Sequence, residues 1–205
     1  MKSPIVTTFV IGTLFGLLST APVRAQSTLV YDAFLSGPSE SPPNGSPGTG
    51  FAQITIDTGF AGQDDTLQVL FSFSGLLGPT TASHIHAATA LPGTGTAGVA
   101  TTTPYFAGFP LGVTSGTYSN TLDLVLSSSY NPAYVTANGG TTAGAEAALL
   151  GSIAAGTAYL NIHTTVVPGG EIRGFLEPVP EPATFALVGA GAGCFLFARR
   201  RWRRS

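Results

Sequence analysis

Between residues 28 and 177 the chain is divided into short runs of alternating apolar and polar side chains, each closed by Gly, Pro, Ser, Asn or Asp. An alternation of period two marks a strand with one buried face, because successive side chains of an extended chain point to opposite sides. Leu67, Val69, Phe71 and Phe73 fall on one side of such a run, as do Ala52, Ile54 and Ile56, with Phe51, Gln53, Thr55 and Asp57 on the other. The pattern predicts strands over 28–36, 51–57, 67–73, 83–88, 97–102, 116–126, 157–164 and 171–177, with 58–66 closing a hairpin. In 116–126, Leu122, Leu124 and Leu126 share a face. Residues 41–48 carry three prolines and are read as a loop, since proline cannot serve a central ladder. One helix is expected over 143–154, with Leu149, Leu150 and Ile153 as its apolar stripe, Thr142 as cap and Gly156 as stop. Many short, punctuated strands around a single helix imply an all-β sandwich or barrel.

The two ends obey different rules. Lys2, the apolar stretch Ile5 to Leu18 and the small-x-small triplet Val23-Arg24-Ala25 form an export signal. Signal peptidase is expected to cut between Ala25 and Gln26, because a cut after Ala21 would leave Pro22 at the new N-terminus. The apolar run is shorter than the ~20 residues of a spanning helix. At the other end stand Val179-Pro180-Glu181-Pro182, an apolar stretch from Ala183 to Ala198, and then Arg199, Arg200, Arg201, Arg203 and Arg204 around Trp202. That stretch is of borderline length for a transmembrane helix, and the arginine block would hold its end in the cytoplasm. The expected organisation is a signal peptide over 1–25, one domain over 26–178 and a C-terminal tail over 179–205.

Removing the ends changes the electrostatics. The full chain has a formal net charge of −2. Within 26–178, however, Arg173 is the single cation against nine carboxylates, a net of −8. Such a domain has no cations with which to displace the counterions of a nucleic acid, so nucleic-acid binding is excluded. Contact with membrane is expected only through the C-terminal span. The single cysteine, Cys194, lies in that span, so no disulfide staples the domain.

The chemistry-bearing residues are few. All three histidines lie in predicted strands. His84 and His86 flank Ile85, and residues two apart on a strand share a face at roughly 6–7 Å. His163 shares its own strand face with Tyr159 and Asn161. A His-x-His pair with a distant third histidine is a ligand set suited to zinc or copper, and Glu171 could serve as a fourth ligand or an outer partner. The competing reading has all three rings neutral and hydrogen-bonded across strands. Glu171 and Arg173, two apart, are expected to form an ion pair, since an isolated buried guanidinium would be costly. The acidic stretch 57–65 offers oxygen ligands of the kind calcium takes, though an ordinary acidic hairpin turn explains it as well. No nucleophile elbow, phosphate loop or carboxylate pair is present, so no enzymatic activity is expected.

Ser83-His84-Ile85-His86, Ala158-Tyr159-Leu160-Asn161-Ile162-His163-Thr164 and Pro168-Gly169-Gly170-Glu171-Ile172-Arg173-Gly174 together resemble the CHRD domain, over about Thr28 to Leu176. Ala87 and Ala88 stand where many members carry Gly-Pro. The resemblance implies an antiparallel Greek-key β-sandwich, immunoglobulin-like or superoxide-dismutase-like, in a secreted protein of poorly defined biochemical role. The tail resembles the PEP-CTERM sorting signal, with Pro180, Glu181 and Pro182 as motif and Arg199 to Arg201 opening the basic end. That implies processing by an exosortase after transient anchoring in the inner membrane, then release to the cell surface or an extracellular matrix. The expected function is a non-enzymatic surface module that contacts exopolysaccharide or other surface proteins. The alternatives are a copper- or zinc-binding domain using His84, His86 and His163, and a calcium-stabilised adhesion domain. The His-x-His strand is also similar to copper ligands of Cu,Zn superoxide dismutases, but no fourth histidine bridges two metals and dismutase activity is not carried over.

Overall fold

A computed structural model describes residues 27–59 and 63–180. The signal peptide with its Ala25–Gln26 junction, and the tail from Glu181 through Pro182 and Arg199–Arg201, lie outside the described residues. The strands are β1 (Ser27–Ser36), β2 (Thr49–Thr58), β3 (Thr66–Ser74), β4 (Thr80–His86), β5 (Gly116–Asp123), β6 (Tyr159–Thr164), β7 (Ile172–Phe175) and β8 (Glu177–Pro178). Helices α1 (Pro132–Ala137) and α2 (Thr142–Ala154) separate β5 from β6.

All eight strands join one antiparallel sheet in the order β4-β6-β7-β1-β2-β3-β5, with β8 also on β1. The expected alternation places the core. Ala52, Ile54 and Ile56 of β2 and Leu67, Val69, Phe71 and Phe73 of β3 are all buried on one face. Ile85, Leu160, Ile162 and Ile172 from β4, β6 and β7 are buried in the same core, as are Leu149 and Ile153 of α2. The curled sheet therefore carries two sets of strands around one core. They are continuous rather than two separate sheets, because β1 touches both sides. Ser36 pairs with Arg173 of β7, Tyr31 and Asp32 pair with β8, and the opposite edge of β1 runs along β2. Period-two patterning assigns a residue to a face and leaves its pairing partner open.

Four expectations need correction. Residues 97–102 form no strand. Their contacts go to separate elements, Val99 bridging His86 and Thr101 bridging Tyr130, so no ladder develops. β5 stops at Asp123, and the expected Leu122-Leu124-Leu126 face breaks there, leaving Leu126 half exposed. Helix α2 is capped by Thr141 rather than Thr142, its hydroxyl accepting from Gly144 N at 3.1 Å. Gly156, at φ +67°, follows its end in the left-handed conformation that glycine adopts without strain. Helix α1 was not expected. Six residues are too few for a helical period to show, though Asn131 caps it and Pro132 opens it.

Candidate metal centre

The pairing of β4 with β6 sets His84 opposite Asn161, His86 opposite Tyr159 and Ala82 opposite His163. Cross-strand partners share a face, so the three imidazoles stand together on the side away from Ile85, Leu160 and Ile162. That side is covered too. Loop segments lie over it, leaving His84 and His86 buried together with Tyr159, Asn161 and Arg173.

Each ring is fixed by one nitrogen. His84 Nε2 lies 2.7 Å from the Pro104 carbonyl, His86 Nδ1 2.9 Å from that of Ala97, and His163 Nδ1 2.9 Å from that of Pro168. A carbonyl oxygen only accepts, so the nitrogen facing it carries the proton and the tautomer is set. The remaining nitrogens, His84 Nδ1, His86 Nε2 and His163 Nε2, are buried and make no hydrogen bond. They are the three lone pairs, and the ligand atoms of the three residues all lie within 4.8 Å of one another.

Protonation is disfavoured. Burial lowers His84 to about 4 against the bond to Pro104 O, and His163 across the cluster adds to the fall. Burial also lowers His86 to about 4, and it lowers His163. All three are neutral at pH 7, the form that ligates metals. Three unpaired acceptors in a buried pocket would normally be a defect. They fit a cation that accepts three nitrogen ligands, since ligands at 2.0–2.1 Å in a tetrahedral shell stand about 3.4 Å apart, a closure of at most about 1.4 Å from the present 4.8 Å limit.

Other expected residues are placed elsewhere. The Glu171 carboxylate accepts from Ser46 Oγ at 2.6 Å, Leu77 N at 2.5 Å, Thr164 Oγ1 at 2.6 Å and Gly78 N at 3.4 Å. Thr164 follows His163 and so points to the opposite face, which takes Glu171 away from the imidazoles and from the ligand role expected of it. Burial pushes its carboxyl up, but the hydrogen bonds from Ser46, Thr164, Leu77 and Gly78 outweigh this and hold it below the usual range. Nor does Glu171 pair with Arg173. Arg173 lies 3.8 Å from Glu40, donates to Ser39 O at 2.6 Å and Gly95 O at 2.7 Å, and sits over the Tyr159 ring at 4.7 Å. Tyr159 in turn stacks on His86 with centroids 4.8 Å apart. Glu40 was missed by the sequence reading. Its only signal was being the one charged residue of the loop after β1, in a domain whose sole arginine required a partner. Burial raises Glu40 to about 7 in spite of Arg173.

Two carboxylates of the acidic stretch 57–65 are already engaged, one by β1 and one across the turn. Asp57 accepts from Thr28 Oγ1 at 2.5 Å and Asp65 from Gly59 N at 2.9 Å. Among the described residues the cluster that brings three or more potential metal-ligating side chains within mutual reach is the histidine one.

A β-domain with a clustered imidazole triad is followed in the sequence by a Pro-Glu-Pro tail. The chain belongs to the CHRD domain family, which it matches over residues 31–176, and residues 178–204 match the PEP-CTERM protein-sorting motif. Together these make it an exosortase-sorted bacterial surface protein, and neither match is to a catalytic family. No match was found among curated proteins or solved structures. Pro180 is the last described residue of the motif, and Val179 N still donates to Val30 O at 2.9 Å, so the domain extends to the edge of the sorting signal.

Proposed function

We propose that this protein is a non-enzymatic surface module whose CHRD domain, taken as residues 26–178, binds one transition-metal ion, copper or zinc, through His84 Nδ1, His86 Nε2 and His163 Nε2. One observation carries this reading: three fixed-tautomer imidazoles, two buried and one half-buried, each keep a buried nitrogen without a partner, and their ligand atoms lie within 4.8 Å of one another. A cross-strand hydrogen-bonding network would pair those nitrogens with donors, and here each ring donates outward to a backbone carbonyl instead. Those carbonyls orient the rings as partners of a metal site do. The triad would hold the ion, which would supply a cross-link between β4 and β6.

The test is elemental analysis of the protein purified after export by its own cell, beside His86→Ala. About one equivalent of copper or zinc in the wild type, absent from a folded His86→Ala protein, is expected. A metal-free wild type that also takes up neither ion on titration would end the reading.

A second role rests on the outward face of β1, β2 and β3. Phe34, 77 % exposed, contacts Phe51 at 5.2 Å beside Asp32, Gln53 and Ser72. A face of aromatic, amide and hydroxyl groups suits contact with exopolysaccharide or other surface proteins. Deletion of the protein should weaken cell aggregation, and unchanged aggregation in a strain that sorts its other tailed proteins normally would count against it.

A further inference from the structure

We infer that the triad selects copper as Cu(I), ahead of Cu(II) and zinc. The inference rests on the metal-site reading above and concerns which ion the site takes.

The ligand set is neutral throughout. Each imidazole keeps its proton on the nitrogen bound to a backbone carbonyl, and a carbonyl cannot take that proton as a carboxylate could. No ring can therefore become an anion at little cost. Among the described residues no carboxylate or thiolate belongs to the cluster. Glu171 is held on the opposite face by Ser46, Thr164, Leu77 and Gly78. Glu40 faces Arg173, so the pair contributes no surplus negative charge. The guanidinium itself lies over Tyr159, whose ring stacks at 5° on His86, bringing positive rather than negative charge to that side of the site.

A bound monovalent ion would leave one uncompensated charge in this pocket, and a divalent ion two. Uncompensated charge is expensive where water is excluded, and the penalty grows faster than the charge. Coordination preference points the same way. Imidazole suits copper in general, but Cu(II) favours a tetragonal arrangement of four or more ligands. Three nitrogens converging from two neighbouring strands supply a three-coordinate shell. Zinc held by three histidines completes its tetrahedron with a water molecule, which the covered side of the sheet would have to admit, whereas Cu(I) needs no such fourth ligand.

The experiment is anaerobic competition on the demetallated exported protein. The three probes are Cu(I) against bicinchoninate, copper(II) sulfate and zinc sulfate, the last two each against a chromogenic chelator. Cu(I) is expected to bind at least a hundredfold tighter than Cu(II), which at 59 mV per decade raises the copper midpoint by about 120 mV over the free ion. It should also bind more tightly than zinc. Cu(II) or zinc binding as tightly as Cu(I), at one equivalent, would overturn this inference and leave the metal site standing. Binding of none of the three would remove both. The wild-type comparison needs no variant to fold. His163→Asp adds a direct check on the charge argument: a carboxylate in the ligand set should shift the preference toward Cu(II) and zinc by at least tenfold. An unchanged ratio in a folded variant would refute the charge argument.

Discussion

Replacing Glu171 with glutamine tests whether the Gly-Gly-Glu-Ile-Arg-Gly segment serves the fold or the histidines. The Glu171 carboxylate ties together the loop before β2 through Ser46, the turn after β3 through Leu77 and Gly78, and β6 through Thr164. Glutamine keeps the shape but converts one acceptor oxygen into a donor. In the milder orientation the amide replaces Oε2, so Thr164 loses its short bond and Gly78 its long one. In the other, Ser46 and Leu77 lose theirs. A hydrogen bond to a charged group contributes about 1.5–3 kcal/mol. A neutral amide is easier to bury than a carboxylate, which offsets part of the loss. The expected net destabilisation is about 2–4 kcal/mol, a large share of the ~5–15 kcal/mol by which domains are stable. Guanidinium denaturation at pH 7 should show a lower midpoint with an unchanged slope. The carboxyl is held below its ordinary range in the fold, so its contribution is present above the unfolded glutamate value of ~4.3 and fades as pH falls below it. The gap between the two proteins should therefore shrink at pH 3. A loss below about 0.5 kcal/mol, the range of ordinary surface changes, would refute the structural role.

Two further predictions concern acid and close packing. In the metal-free protein, His84 and His86 titrate near 4 instead of 6.5, so they stabilise the fold fully above 6.5 and lose that contribution as pH falls toward 4. Glu40, raised to about 7, works in the opposite sense between 7 and 4.5. These two groups against one leave a net loss of about 1.4 kcal/mol per pH unit below 6.5, to which His163, also lowered by burial, adds in the same sense, and a denaturation midpoint that is flat or rising from pH 6.5 to 4.5 would contradict the burial of these rings. Gly174→Ala would put a Cβ 2.5 Å from Phe34 O, in the main chain of β1. Separating β1 from β7 should cost about 2 kcal/mol, read as a fall in Tm of roughly 4–8 °C, and an unchanged Tm would show that the strands are not so closely apposed.

The legibility of the sequence followed its side-chain signals. β2 and β3 could be read because Ile54, Ile56, Leu67, Val69 and Phe71 alternate over runs long enough to show a period. The joining of the two sets of strands through β1 could not, because it rests on single pairs such as Ser36 with Arg173, which leave no trace in hydropathy. The shared face of His84 and His86 followed from their spacing, and the placement of His163 beside them needed the register of β4 on β6. What fixes the rings was not legible at all. The acceptors are main-chain carbonyls of Ala97, Pro104 and Pro168, and any residue type could have supplied them. Glu171 and Arg173 misled for a related reason. Two charges of opposite sign so close in sequence suggest each other, yet Glu171 found hydroxyls and amides while Arg173 found Glu40 across the covering loop.

The triad is split between β4 and β6, with β5 and both helices between them in the chain. A partly made or unfolded chain thus presents a histidine pair at most, and the third ligand arrives only when β6 docks. The complete cluster is a product of finished folding. On the metal-site reading proposed above, occupancy would be set by the metals available where the chain completes its fold, so the route of export would filter what the protein carries.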